Sequence, residues 1–432
     1  MTTFKDLTEQ DVLDISARLD EPDWLRDRRQ EAFKAFSDLP WPTPRDEEWR
    51  YTRPSRFDLE RPLVLDAGEA PDIQRGIVAA VADQLAGSAR IVDGAVVDVS
   101  SGQAADEAGV VITDLATAAL ERPDDVAGAL GSVVGADEKF DALNLAAFSA
   151  GVYVSAPAEA RLSEPIGITV TSTQPGALTP RVLIHAGPHA ELTVYVDHVG
   201  GAEATVVEVV EVVVEEGATV RLVTSQDWEG AVAHMATHRG QVGDNANYHH
   251  LEVTLGGETV YIRPDVELSG AGGNGELLGL YFGSTGQMIE HRSLIHHDAS
   301  HTSSTSVYKG ALQGESRAAW LGNIRIEPHA KATSSDETNR NLILTEGAKA
   351  DSVPFLEILT SDVVQCGHHS SVGQVDELQL FYLESRGISR EEAARLLVFG
   401  FFAEVLGRVD LPGVTDTILG EIEQEILTGP TT

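Results

Sequence analysis

From Gly151 to about residue 375 the chain runs in short apolar and alternating stretches with almost no helical periodicity. GVYVSA, PIGITVTS, PRVLIHA, ELTVYVDHV, TVVEVVEVVVE, TVRLVTS, HHLEVTLG and ETVYIRPDVELS all read as strands. Small turns of Gly, Ala, Asn and Asp separate them: GPHAELTV, EGATVRLV, GDNANYHH, GAGGNGELL, HDASHTSS, GESRAAWL, PHAKATSS and EGAKADSV. The early turns recur at roughly 25–30 residues and the later ones come closer together. A degenerate repeat of this kind is the pattern of a β-solenoid, whose coils bury their apolar faces only by stacking. A β-sandwich is the rival, but it favours fewer strands over such a length and more regular hairpin chemistry. The predicted fold class is mainly β, with a right-handed parallel β-helix (β-solenoid) core.

Helical periods flank this core. In residues 1–65, LTEQDVLDISARL has helical spacing, and DWLRDRRQEAFKAFSDL is amphipathic through Trp24, Leu25, Ala32, Phe33 and Phe36. The prolines of PWPTPRDEEWRYT end that N-terminal helical region. Residues 66–150 form a mixed α/β connection, with strands in ARIVDGAVVDVS and a helix in DLATAALERP. Residues 151–375 are the β-helix. Residues 376–432 form a C-terminal helical domain: DELQLFYLESRGI closed by Gly387, then a helix capped by Ser389 with Glu391 and Glu392 in its first turn, then TDTILGEIEQEIL.

Charge narrows the function classes. The 432 residues carry 68 Asp and Glu against 31 Lys and Arg, a formal net charge of −37. That balance repels phosphate backbones, so nucleic acid is excluded as an expected partner. It favours solubility where salt screens the repulsion, as in a halophile's cytosol. No run of eighteen apolar residues suggests a membrane span, and MTTFKDLTEQDVLD is too polar for a secretory signal. One cysteine allows no internal disulfide, which agrees with a cytoplasmic location.

That cysteine, Cys366, stands in VVQCGHHSSVG beside His368 and His369. A soft thiolate near borderline imidazoles suits a metal, and a packed, inert thiol is the plainer alternative. Other histidines crowd the β region: His291, His296, His297 and His301, the pair His234 and His238 in HMATH, and His249 with His250. HMATH lacks the glutamate of HExxH and its flanks read as strand, so a hydrogen-bonded role is favoured over ligation. GAGGNG matches GxGxxG, but strand-like ELLGLYF follows it where a dinucleotide site needs a helix, so it reads as a solenoid turn. There is no GxxxxGK[ST], no GxSxG and no distinctive carboxylate pair.

Thr338 to Leu406 resembles the C-terminal core of the SufB/SufD family of iron–sulfur cluster assembly scaffolds. The resemblance rests on TNRNL, PFLEI, the C-x-H of Cys366 and His368, and FYLESRGI with the helical tail. HTSSTSVYKGAL, WLGNIRIEPHAKAT, DALNLAAF and the N-terminal EPDWLRDRRQEAFKAFSDLPWPTPRDEEWRYT extend it over most of the chain, most weakly over 65–135. Asn339 stands where SufB-like chains carry a cysteine. His368-His369-Ser370 replaces their His-Glu-Ala. Both departures are similar to SufD; His369 and Ser370 depart from the SufD pattern as well.

The resemblance implies a non-catalytic scaffold subunit that pairs with a SufB-like subunit and works with a SufC-like ABC ATPase. It places Cys366 and His368 where the two paralogues meet, with His368 a candidate ligand or relay for a nascent Fe–S cluster shared with the partner, and His369 a weaker candidate. One cysteine cannot supply a four-cysteine cluster, so no cluster is expected to stay on the isolated chain. Alone, the chain would be free to form a homodimer. The ATPase would dock on the C-terminal helices, where Phe399, Phe401 and Phe402 exceed what one helix face can bury. The alternatives are a SufB-like paralogue that carries the cluster itself, or a β-helix enzyme acting on polysaccharide.

Overall fold

The computed structural model describes residues 2–284 and 286–428. Two helices open the chain, α1 (Glu9–Arg18) and α2 (Asp23–Asp38), followed by the short α3 (Ile77–Ala80). The hairpin β1 (Gly87–Val92) and β2 (Ala95–Ser101) precedes α4 (Gln103–Glu107), β3 (Val111–Asp114), α5 (Leu115–Glu121), α6 (Pro123–Ala129) and α7 (Lys139–Ala147). The solenoid strands then run without a helix. They are β4 (Ala150–Ala156), β5 (Ile166–Ser172), β6 (Gly176–Leu178), β7 (Pro180–Ala186), β8 (Glu191–Gly200), β9 (Ala204–Val214), β10 (Thr219–Trp228) and β11 (Val232–Val242). Next come β12 (Asn247–Thr254), β13 (Thr259–Leu268), β14 (Asn274–Gly283), β15 (Met288–His297) and β16 (Ser303–Leu312). The last are β17 (Arg317–Ile326), β18 (Thr333–Ile343), β19 (Lys349–Ile358) and β20 (Val363–Gln374). Three helices close the chain: α8 (Glu377–Glu384), α9 (Arg390–Leu406) and α10 (Val414–Thr428).

Alternate strands belong to opposite sheets. One sheet runs β2-β1-β5-β8-β10-β12-β14-β16-β18-β20, the other β19-β17-β15-β13-β11-β9-β7-β4-β3. All pairings are parallel except β1 with β2 and β3 with β4, which close the N-terminal end. This is the predicted parallel β-solenoid, of about eight turns. One expectation is corrected. Strands of the first sheet begin at Glu191, Thr219, Asn247, Asn274, Ser303, Thr333 and Val363, intervals of 28, 28, 27, 29, 30 and 30 residues. The coils do not shorten. Each has two turns, and in the later part of the chain the sequence pattern marks both.

Strand periodicity divides every coil into an inside and an outside. Val194, Val196, Val210, Val212, Val220 and Leu222 form the apolar interior of the early coils. The outer face of one sheet, through Leu183, Val207, Met235 and Tyr261, packs against Phe36, Trp49 and Phe140 of the N-terminal part. The outer face of the other, through Tyr195, Val223, Leu251, Leu278 and Val307, packs against Val398, Phe402, Val405, Ile418 and Ile422 of α9 and α10. The helices therefore cover the two sides of the solenoid. Among the described residues no strand covers its C-terminal end: β19 pairs only with β17, and β20 only with β18.

GAGGNG forms the turn between β13 and β14, with Gly272 at φ +74°, a backbone that glycine adopts without strain. HMATH lies wholly within β11.

Candidate site at the open end of the solenoid

The open end is built by register. Cys366 pairs with Ser335 and His368 with Glu337. Ser335 and Glu337 are buried on the inner face of β18, so Cys366 and His368 share that inner face, two residues apart on the last strand. Following the pairings inward, the row that ends at His368 passes Glu337, Ser306, Leu277, His250 and Leu222. His369 pairs with Thr338 and faces outward, its Nε2 3.6 Å from Asp336. His368 and His369 are exposed and Cys366 is half-buried.

Electrostatics at this end are dominated by carboxylates. Glu337 is 1% exposed and neither of its carboxyl oxygens has a hydrogen-bond partner. Burial, reinforced by neighbouring Asp336, pushes its carboxyl up to about 8, so it holds a proton at neutral pH. Burial, with Glu337 and Asp336 nearby, also pushes the Cys366 thiol up. In the chain by itself Cys366 is a protonated thiol and a poor nucleophile. A cation or metal brought to this edge would reverse that preference. Behind Cys366, a hydrogen-bonded line runs from His297 Nε2 to Ser304 Oγ (3.0 Å) and on to Ser335 Oγ (2.6 Å). One thiol, one imidazole and one carboxyl make an incomplete ligand set.

The surface around these groups is apolar and unpaired. Val364, Val372, Phe355, Ile358 and Leu359 are exposed on β19 and β20 or in the turn between them. Two adjacent edge strands of 10 and 12 residues offer rows of free backbone donors and acceptors, with Pro354 the one of their residues that lacks a backbone N–H.

The structure separates the other candidates. His291 and His297 point inward, His291 bonding Thr254 and His297 bonding Thr302 and Ser304. His296 faces outward onto Glu327, and His301 sits exposed in a turn at φ +61°. These four do not converge. His234 and His238 do come together, inside the solenoid, with His198 and Glu208. His249 faces outward onto Glu276, whereas His250 points inward onto Thr224. Phe402 of α9 is fully buried against the solenoid and offers a partner nothing; Phe399 and Phe401 are partly buried in the same packing. Among the described residues, the exposed large apolar side chains of the tail are Leu378, Phe381 and Tyr382 of α8, with Leu396 of α9.

Sequence reasoning missed Glu337 and His198. Glu337 lies two residues before Asn339 in SSDETNRN, and strand alternation places both inward. Only the pairing register puts it beneath His368.

The fold is thus a β-solenoid with an open strand edge that presents a thiol, an imidazole and a buried carboxyl. Comparison with known proteins gives its family. Residues 168–401 match the family model for the SUF system FeS cluster assembly SufBD core domain. An iron-sulfur cluster assembly SufBD family protein of Mycobacterium leprae is 39% identical over 69% of this chain and 78% of its own length. One from Mycobacterium tuberculosis is 39% identical over 65% of this chain and 72% of its own. One from Staphylococcus epidermidis is 32% identical over 91% of this chain and 88% of its own. The chain belongs to the SufBD family of iron–sulfur cluster assembly proteins.

Proposed function

We propose that this chain is the SufD-like, non-catalytic subunit of an iron–sulfur assembly scaffold, and that a SufB-like subunit docks on the β19–β20 end. The observation that carries this is the inward-facing pair Cys366 and His368 on a terminal strand whose second edge is unpaired. Two edge strands and the apolar residues around them suit β-augmentation by a second solenoid. The paralogue assignment rests on Asn339 and on His368-His369-Ser370. The nascent cluster is the cargo at this junction. His368 would lend an imidazole, Cys366 a thiol, and the partner the remaining ligands, an incomplete hold that suits release. Glu337, protonated beneath His368, can donate a proton to the site, while the proton that the thiol loses on ionising leaves to solvent at the open end. Without the partner, a second copy of the chain would fit the same edges.

A SufC-like ATPase would supply the ATP chemistry for which this chain has no P-loop. It would dock on α8, where Leu378, Phe381 and Tyr382 are exposed, and not on the buried Phe402. The test is His368→Ala in the co-expressed complex. It should assemble normally and build cluster poorly, read as iron and acid-labile sulfide per complex. Undiminished cluster content would remove His368 from the site.

A further inference from the structure

Four coils before the open end, the interior of the solenoid carries a second polar centre. Thr224 of β10, His238 of β11, and His250 and Glu252 of β12 converge there, each 1% exposed or less. His238 Nδ1 lies 2.9 Å from Glu252 Oε2. Thr224 Oγ1 lies 2.8 Å from that oxygen and 2.8 Å from His250 Nε2. His250 Nε2 is 3.7 Å from Glu252 Oε2. A tetrahedral zinc ion with bonds of about 2.0–2.1 Å separates neighbouring ligand atoms by about 3.3 Å, and the observed spacings bracket that value.

Two further observations point to a ligand. His238 turns its other nitrogen, Nε2, to Glu208 at 3.3 Å, the outer carboxylate support that orients a metal-bound imidazole. Glu208 is itself fixed by His198 Nε2 at 2.8 Å and His234 Nε2 at 3.2 Å. In addition, Glu252 Oε1 and His250 Nδ1 are buried without a hydrogen-bond partner. Hydrogen bonding alone thus leaves this centre unsatisfied, at a cost in free energy that a cation against the carboxylate offsets.

We propose that His238, His250 and Glu252 bind a divalent first-row transition metal, Zn²⁺ by ligand type and geometry, with the Thr224 hydroxyl in the fourth position. The adjoining set of His198, Glu208 and His234 is the support and not the site. Trp228 Nε1–H donates to His234 Nδ1 at 3.2 Å, so the proton of His234 sits on Nε2, facing Glu208. Because the ligands are sealed inside the solenoid, the metal enters before the coils close and stays. It is a structural ion, separate from the cluster cargo, and it depends on the solenoid interior rather than on the assembly role.

The test uses the full chain without an affinity tag, folded in high salt with Zn²⁺ and dialysed against EDTA. Metal analysis should find about one Zn²⁺ per chain, released only on unfolding. Refolding with Co²⁺ should give the visible absorption of a tetrahedral site. His250→Gln with Glu252→Gln should fold, by circular dichroism, and lose the metal. A folded wild-type chain without metal after refolding in Zn²⁺ or Co²⁺ would overturn the proposal. So would a folded double variant that keeps a full equivalent. If the double variant does not fold, the Co²⁺ spectrum of the wild-type chain decides alone.

Discussion

Asp197 buries a carboxyl on the outer face of β8, where Val78 N donates to Oδ2 at 2.6 Å and Oδ1 has no partner. Burial pushes it up to about 7. Around it lie Glu421 and Glu425 of α10, pushed by burial and by neighbouring Asp227 to about 8 and about 7. Arg75 faces this group, paired with Asp227 at 3.3 Å and with Glu229 at 2.7 Å. Gly76 N donates to Glu421 Oε1 at 3.1 Å, so these acids tie α10 to the segment before α3. Their folded values lie above the ordinary carboxyl range. The stability they contribute is therefore fully present below about pH 4, and is lost as pH rises through about 7 to 8. Backbone amides of α10 should exchange faster at pH 8 than at pH 6 after correction for intrinsic rates. Asp197→Asn with Glu421→Gln should flatten that difference; an unchanged pH dependence would show the acids to be irrelevant. None of this is legible in sequence. Asp197 sits in ELTVYVDHV as any polar residue at a strand end would, and its burial comes from a helix more than two hundred residues away.

Elements were legible where their period was clean. The Ser389 cap of α9 and the positive φ of Gly387 match the sequence signals. What period alone did not give was which side of an element is covered. Glu208 and Glu211 look alike in TVVEVVEVVVE, yet three residues apart on a strand they face opposite ways. Glu208 points into the solenoid. Glu211 points out to Arg181, and together they bind the backbone at Gly131 and Val134. The tail shows the same limit. Four apolar residues between Val398 and Phe402 drew attention to α9, but α9 spends them on the solenoid. The free face belongs to α8. Leu378→Asp with Phe381→Asp should leave the melting temperature unchanged and weaken ATPase binding at least tenfold, about 1.4 kcal/mol or more. Phe402→Ala should do the reverse: it should cost about 3–5 kcal/mol of stability through the cavity it leaves. Equal ATPase affinity in the α8 variant would move the docking surface elsewhere.

At the scale of the whole molecule, coil spacing and strand alternation were enough to name the solenoid, since each coil repeats one unit. The site was half legible. Cys366 and His368 stood out by residue type, whereas Glu337 required the register between β18 and β20. The net charge of −37 acts on the whole molecule too. No helix among the described residues is long and apolar enough to cross a membrane. Self-repulsion among the acids should make the melting temperature rise from dilute buffer to multimolar KCl, as screening shortens. A flat or falling curve would contradict adaptation to high salt. The open β19–β20 end is where the proposed partner would dock. Co-expression with a SufB-like subunit and a SufC-like ATPase from the same genome, followed by size exclusion with light scattering in high salt, tests it directly. The account predicts one stable species containing all three chains, broken when charge is placed on the edge by Val364→Asp. A chain that elutes alone, with the other two chains present and folded, would contradict it.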